Sequence, residues 1–150
     1  MTANSFYAVE TDGVITRILP GVRTHEGTPL EERADKEIRA YLAGERRTFS
    51  FPVRALGTAF ERAVWDVTRA IPYGERRTYA EIAEAIGTRA YRAVGTALAK
   101  NPVPLFIPCH RVVGKNDIGG YAFGIEIKRE LLEMERRSLE RASSSDGDPF

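Results

Sequence analysis

The sequence predicts an α+β protein in two parts, a small sheet-and-helix unit followed by a mainly helical one. Three observations carry that expectation. "SFYAVE", "TDG" and "VITRIL" read as two short strands about an Asp12-Gly13 turn. "TPLEERADKEIRAYLAGE" has helical periodicity, with Thr28 as N-cap, Pro29 at the first position and Gly44 as the stop. Downstream, helix signals recur with little strand between them.

The first helix presents Leu30, Ala34, Ile38, Tyr41 and Leu42 on its apolar face. "TFSFPV" is expected to be an edge strand, because Pro52 cannot donate to a ladder. The first unit then spans residues 1–54, with a linker over 55–59. In "TAFERAVWDVTRAIPYGE", Thr58 caps a helix whose inner face is Phe60, Val64, Val67 and Ile71. In "TYAEIAEAIG", Thr78 and Glu81 make a capping box, and Gly87 stops the helix. "TRAYRAVGTALAKN" is a further helix, ended by Asn101-Pro102. The two short helices and their glycine-containing turn suggest helix-turn-helix. Gly95 within the second costs about 1 kcal/mol against alanine. Its small size serves either close helix packing or close approach to a nucleic-acid groove. "NPVPLFIPC" cannot be helical, with prolines at 102, 104 and 108, and reads as a stiff arm delivering Cys109. A short strand, a loop with Gly119, Gly120 and Gly124, and a last helix from "IEIKRELLEMERRSLE" complete the second unit over 60–140. The tail over 141–150, "RASSSDGDPF", has the composition of disorder.

The 150 residues allow one substantial core or two small ones. Net charge is +1, but residues 60–115 carry 9 basic and 5 acidic side chains. Within 88–115 stand Arg89, Arg92, Lys100, Arg111 and Lys115 with no acid. That stretch is either a solvated face or the footprint of a polyanion. One cysteine and two histidines exclude an internal disulfide and a multi-cysteine zinc site, and no protein-only metal site is expected. No apolar run reaches the ~20 residues needed to span a bilayer. The N-terminus has neither a basic start nor an apolar signal core. The expected location is cytoplasmic, where thiols stay reduced. No glutamine and three asparagines fit a hot habitat, while 18 arginines against 4 lysines fit a GC-rich genome equally well.

Cys109 and His110 are adjacent in "FIPCHRVVGK". Adjacent strand residues point apart, so contact between them needs a turn. A lone cysteine is commonly buried and inert. Against that, Glu135 falls on the apolar stripe of the last helix with Leu131, Leu132 and Leu139, where a carboxylate needs a partner. Either it pairs in solvent with Arg129 or Arg136, or Cys109, His110 and Glu135 form nucleophile, base and orienting acid. The second arrangement predicts a thiol titrating below its free value of about 8.5.

"NPVPLFIPCHRVV" resembles the active-site segment of the O6-alkylguanine-DNA alkyltransferases. "TYAEIAEAIG", "YRAVGTALAKNPVP", "GGYAFG" and "KRELLEMER" follow in that family's order, so the resemblance covers about residues 57–137. It implies a shortened, ribonuclease-H-like N-terminal domain and a winged helix-turn-helix-like C-terminal one. It also implies direct DNA repair by a single-turnover methyltransferase. The alkyl group of O6-alkylguanine, and of O4-alkylthymine, in duplex DNA passes irreversibly to Cys109, without cofactor and by a monomer.

By the same resemblance His110 is the base acting through a water, Glu135 orients it, and Asn101 holds the turn beside the nucleophile. Arg92 replaces the flipped base, and Tyr79 helps rotate the nucleotide and protonate the leaving guanine. Arg89, Ala93, Gly95 and Thr96 meet DNA. Tyr121, Ala122, Phe123, Val112 and Pro104 form the pocket. Ala122 and Phe123 stand where relatives often carry a small residue or glycine, which bears on the alkyl groups accepted. A lesion-binding module without chemistry, or a cysteine hydrolase, are the readings from other classes.

Overall fold

Strands β1 (Phe6–Thr11) and β2 (Val14–Pro20) form an antiparallel hairpin. Asp12 and Gly13 both take positive φ, 51° and 85°, as the tight turn requires. The protein is described by a computed structural model covering residues 5–147, with side chains to residue 142. Helix α1 (Pro29–Leu42) starts on the Thr28–Glu31 capping box, packs on the hairpin and buries Ala34, Ile38 and Tyr41.

The expected "TFSFPV" strand does not form. Residues 48–53 run extended beside β2 with a single bridge, Ile15 to Val53. Ile15 N donates to Pro52 O at 2.8 Å and Arg54 N to Ile15 O at 2.9 Å. Pro52 lacks the N–H needed to extend this pairing.

Helix α2 (Ala59–Arg69) begins on the Thr58–Glu61 box, and α3 (Tyr79–Ala85) on the Thr78–Glu81 box. Gly87, at φ 77°, turns the chain after α3. Helix α4 (Tyr91–Ala99) starts three residues later than its periodicity suggested. Thr88 instead uses its hydroxyl to accept from Ala90 N at 3.1 Å, holding residues 88–90 as a turn. Strands β3 (Arg77–Thr78) and β4 (Val112–Val113) pair in parallel. Cys109–Arg111 between them form one 3-10 turn, the departure from extended geometry that adjacent side chains needed.

Helix α5 (Ile125–Gly147) continues past the point where disorder was expected. An established helix adds residues at little further cost, which composition alone underweights. Residues 148–150 of that expected tail lie outside the described residues.

One apolar cluster runs through both units, from Phe6, Ile15 and Ile38 to Val64, Ile82, Val94, Val103 and Leu131. Polar bonds cross the junction as well: Ile18 N donates to Pro102 O at 2.9 Å and Ser138 Oγ to Gly44 O at 3.0 Å. Among the described residues no helix is long and apolar enough to cross a membrane.

Candidate active site and nucleic-acid interface

The arm from Asn101 to Pro108 is held by one side chain. Asn101 Nδ2 donates to Ile107 O at 2.8 Å and to Cys109 Sγ at 3.3 Å, while its Oδ1 accepts from Val103 N at 2.9 Å. Leu105 within the arm sits at φ 76°, a conformation disfavoured for L-residues by about 1–2 kcal/mol. The Asn101 bonds and the burial of Leu105 hold it there. Cys109 is left 6% exposed at the bottom of a cavity of about 400 Å³. Tyr79, Gly95, Leu98, Ala99, Gly120 and Tyr121 line that cavity, with Ala122 at its edge.

His110 and Glu135 meet in the fully buried interior behind the thiol. A carboxylate only accepts, so the 2.7 Å contact between His110 Nε2 and Glu135 Oε2 places the ring proton on Nε2. Nδ1 is therefore the basic nitrogen, and this buried atom meets no protein donor or acceptor. Arg111 forks onto Glu135 through Nε, 3.0 Å from Oε1, and Nη2, 2.8 Å from Oε2. Gly74 N adds a bond to Oε1 at 2.9 Å. Arg111 is thus committed to the interior and does not extend the basic face of 88–115. Burial pushes the Glu135 carboxyl up, but the His110 and Arg111 bonds outweigh it and hold it well below the usual carboxylate range. Burial lowers His110, against the pull of Glu135, so the ring is neutral at neutral pH.

The expected low thiol titration is overturned. Burial raises Cys109 above its ordinary value, and the Asn101 bond and Lys128 charge only partly offset this. The His110 ring turns its proton toward Glu135 and makes no direct bond to sulfur, so it does not lower the thiol as an imidazolium partner would.

Two side chains that reach the site were not singled out from sequence as site residues. Lys128 is fully buried, its Nζ donating to Val112 O at 2.6 Å and Gly120 O at 2.9 Å. Burial lowers it to about 8, with Cys109 pulling the other way. It lies on the same α5 stripe as Leu131, Leu132 and Glu135, so the argument that flagged Glu135 flags Lys128 equally. Tyr41 of α1 donates its hydroxyl to Glu135 Oε2. Its place on an apolar stripe read as core, although a buried tyrosine hydroxyl also needs a partner.

Three expected pocket residues stand elsewhere. Phe123 packs edge-on against Tyr121 at 5.4 Å and Phe6 at 6.2 Å, fastening the loop to β1 rather than narrowing the cavity. Val112 is core, and its carbonyl is occupied by Lys128. Pro104 is bridged to Ile107 inside the arm. Tyr121 does line the cavity; its buried hydroxyl lies by the Cys109 thiol, and its ionisation is suppressed first by burial and then by that thiol. Tyr79 is fixed by Gly119 and Gly120. Its Oη accepts from Gly120 N at 3.3 Å, and a Cβ on Gly119 would lie 2.6 Å from that oxygen.

The face beside the cavity belongs to α4. Arg92, Ala93 and Thr96 are exposed there, and Arg89 precedes them in the turn. A Cβ on Gly95 would meet nothing within 4 Å. Close packing inside the protein therefore does not account for this glycine.

The fold and site together define a class: a protein that keeps one thiol beneath a pocket, backed by a histidine–carboxylate pair and flanked by a basic, small-residue helix. Comparison with known families gives the class its name. The profile described as "6-O-methylguanine DNA methyltransferase, DNA binding domain" matches residues 59–137. The constitutive methylated-DNA–protein-cysteine methyltransferase of Bacillus subtilis is 50% identical over 117 residues, covering 76% of this chain and 71% of that protein. The inducible one from the same organism is 45% identical over 120 residues, covering 75% and 67%. Among solved structures, Mycobacterium tuberculosis OGT in complex with DNA superposes with a TM-score of 0.80 at 38% identity, covering 89% of this chain and 87% of that one. The chain belongs to the O6-methylguanine-DNA methyltransferase family.

Proposed function

We propose that this protein repairs alkylated duplex DNA directly, moving the alkyl group from guanine O6 to Cys109 Sγ once per molecule. The observation that carries the reading is a buried thiol at the base of a cavity whose rim is the open, basic face of α4. The N-terminal unit is read as a shortened ribonuclease-H-like fold and the second as a winged helix-turn-helix-like one.

Small residues at 93 and 95 let α4 enter a minor groove about 6 Å wide, whereas Ala97, on the buried side of the helix, packs in the core. Arg89 and Thr96 contact the backbone. Arg92 enters the stack when the damaged nucleotide turns out, recovering part of an unstacking cost of a few kcal/mol. The flipped base enters between Tyr79, Gly120 and Tyr121. His110 Nδ1 takes the thiol proton through a water, and Glu135 stabilises the resulting imidazolium. The sulfur lone pair attacks the alkyl carbon as the carbon–O6 bond breaks. The electrons return to guanine, which regains a proton with Tyr79 as donor. Lys128 and Asn101 hold the thiolate charge as it forms, which a thiol raised by burial requires. O4-alkylthymine presents the same oxygen–carbon bond and is a second substrate. Every group needed comes from one chain, so the working unit is a monomer, and a free thiol calls for the reducing cytoplasm.

Incubation with a duplex carrying O6-methylguanine should add the mass of one methylene to the Cys109 peptide, in proportion to protein and never beyond it. Binding without that gain would assign a lesion-binding module instead. Turnover beyond one equivalent would assign a hydrolase.

A further inference from the structure

Tyr41 reaches the site from outside the 59–137 stretch that the family profile covers. It is fully buried on α1 of the N-terminal unit. Its ring is held by Phe49 at 5.4 Å and, edge-on, by Tyr73 at 6.2 Å. Its hydroxyl donates to Glu135 Oε2 and lies 3.1 Å from His110 Nε2. The phenol and the imidazole N–H therefore converge on one oxygen atom. A second donor on that atom withdraws charge the imidazole would otherwise share. It also restricts where the imidazole N–H can point, and with it the direction of Nδ1.

We propose that Tyr41 is a positioning residue for alkyl transfer, clamping Glu135 Oε2 so that His110 presents Nδ1 in one orientation and with a restrained basicity. The N-terminal unit is then part of the proton-handling apparatus and more than a support. This rests on the reading of His110 as the base for Cys109.

The groups acting on His110 are Glu135 and Lys128 from α5, Arg111 from its own turn and Tyr41 from α1. Tyr73 faces Tyr41 from the turn after α2, and Cys109 and Tyr121 lie on the thiol side. Of those on the carboxylate side, Tyr41 alone can lose its bond without the loss of a charge. Removing its hydroxyl leaves Glu135 with its Arg111, His110 and Gly74 donors. More carboxylate charge then reaches the imidazole, the imidazolium is favoured, and free base becomes scarce at a higher pH than before.

The test is the single-turnover rate on an O6-methylguanine duplex as a function of pH, with amplitude recorded separately. In Tyr41→Phe the acid limb should move up by about half a pH unit or more. The rate at neutral pH should fall about tenfold, at full amplitude. Replacing Tyr41 by 3-fluorotyrosine keeps the ring and strengthens the donor, so the limb should move down. That variant decides the question if the phenylalanine protein does not fold. An unmoved inflection, or lost amplitude at an unchanged rate constant, overturns the proposal and leaves Tyr41 a packing residue. A wild-type Cys109 peptide that gains no mass overturns the underlying reading instead, whatever the tyrosine variants do.

Discussion

At the residue scale the informative conflict concerns Cys109. A nucleophilic cysteine is expected to be acidic, yet burial raises this one. The free protein should therefore be alkylated slowly by iodoacetamide at neutral pH, with a labelling inflection above the usual value of about 8.5. An inflection at or below that value would count against the geometry described. On the proposed mechanism, activation belongs to the moment when substrate fills the cavity and the proton leaves by way of His110. Asn101 makes the matching structural prediction. Asn101→Ala removes three bonds, leaves Val103 N unpaired and frees the arm around Leu105, so stability should fall by about 2 kcal/mol or more in thermal unfolding. Residue identity revealed much of this site and geometry supplied the rest. The patterns at Cys109, His110 and Glu135 left an inert thiol and a solvent-paired carboxylate open, and only the family resemblance of the surrounding motifs joined the three into one site. Tyr41 was not legible, because a tyrosine on a stripe looks like core; Lys128 was missed although its place on the α5 stripe carries the same signal as Glu135. The placement of Phe123 and Val112 depends on how a glycine-rich loop folds back, which local pattern does not determine.

At the element scale the N-cap threonines at 28, 58 and 78 made three helix starts legible in sequence, and the structure completes a capping box at all three. Where no cap exists, at Ala90, the start was misplaced. "TFSFPV" failed as a strand because sequence does not reveal whether a partner edge offers more than one bridge. Helix α4 gives the sharpest test of an element's purpose. Gly95→Ala relieves a helix-interior glycine and meets no neighbour, so stability should rise by up to about 1 kcal/mol. Gly95→Leu should leave the fold intact while weakening duplex binding at least tenfold, measured by fluorescence anisotropy. Equal DNA affinity in the leucine variant would remove α4 from the interface. At the other end of the protein, Arg23 binds Asp35, Glu31 and the carbonyl of Ala8, closing the edge of β1. Asp35→Ala leaves Ala8 N unpaired and takes one of two carboxylates from Arg23, and should cost about 1–3 kcal/mol in denaturant unfolding.

At the scale of the whole molecule, the buried pair behind the thiol makes the fold acid-sensitive. His110 is held below its ordinary 6.5 and Glu135 below its ordinary 4.5. In both cases the unfolded chain binds the proton first as pH falls. Stability should therefore decline below about pH 6.5 and again below about 4.5, each group adding a slope of up to about 1.4 kcal/mol per pH unit. Denaturant titrations at stepped pH measure this, and a flat profile between 7 and 4 would contradict it. If Arg89 and its basic neighbours meet phosphates as proposed, binding to DNA should weaken steeply with salt.

Glu135 collects bonds from α1, from Gly74 after α2, and from the Cys109–Arg111 turn. Four stretches of chain that are distant in sequence thus share one carboxylate. Opening any of them exposes that charge's unsatisfied neighbours, so partial opening at this point gains little over complete unfolding. Amide hydrogen exchange should show this as a common protection level for α1, the 3-10 turn and the middle of α5. An N-terminal unit that exchanged freely while the thiol's surroundings stayed closed would show two independent bodies. Such shared protection makes the repair site one of the last places in the molecule to lose its structure.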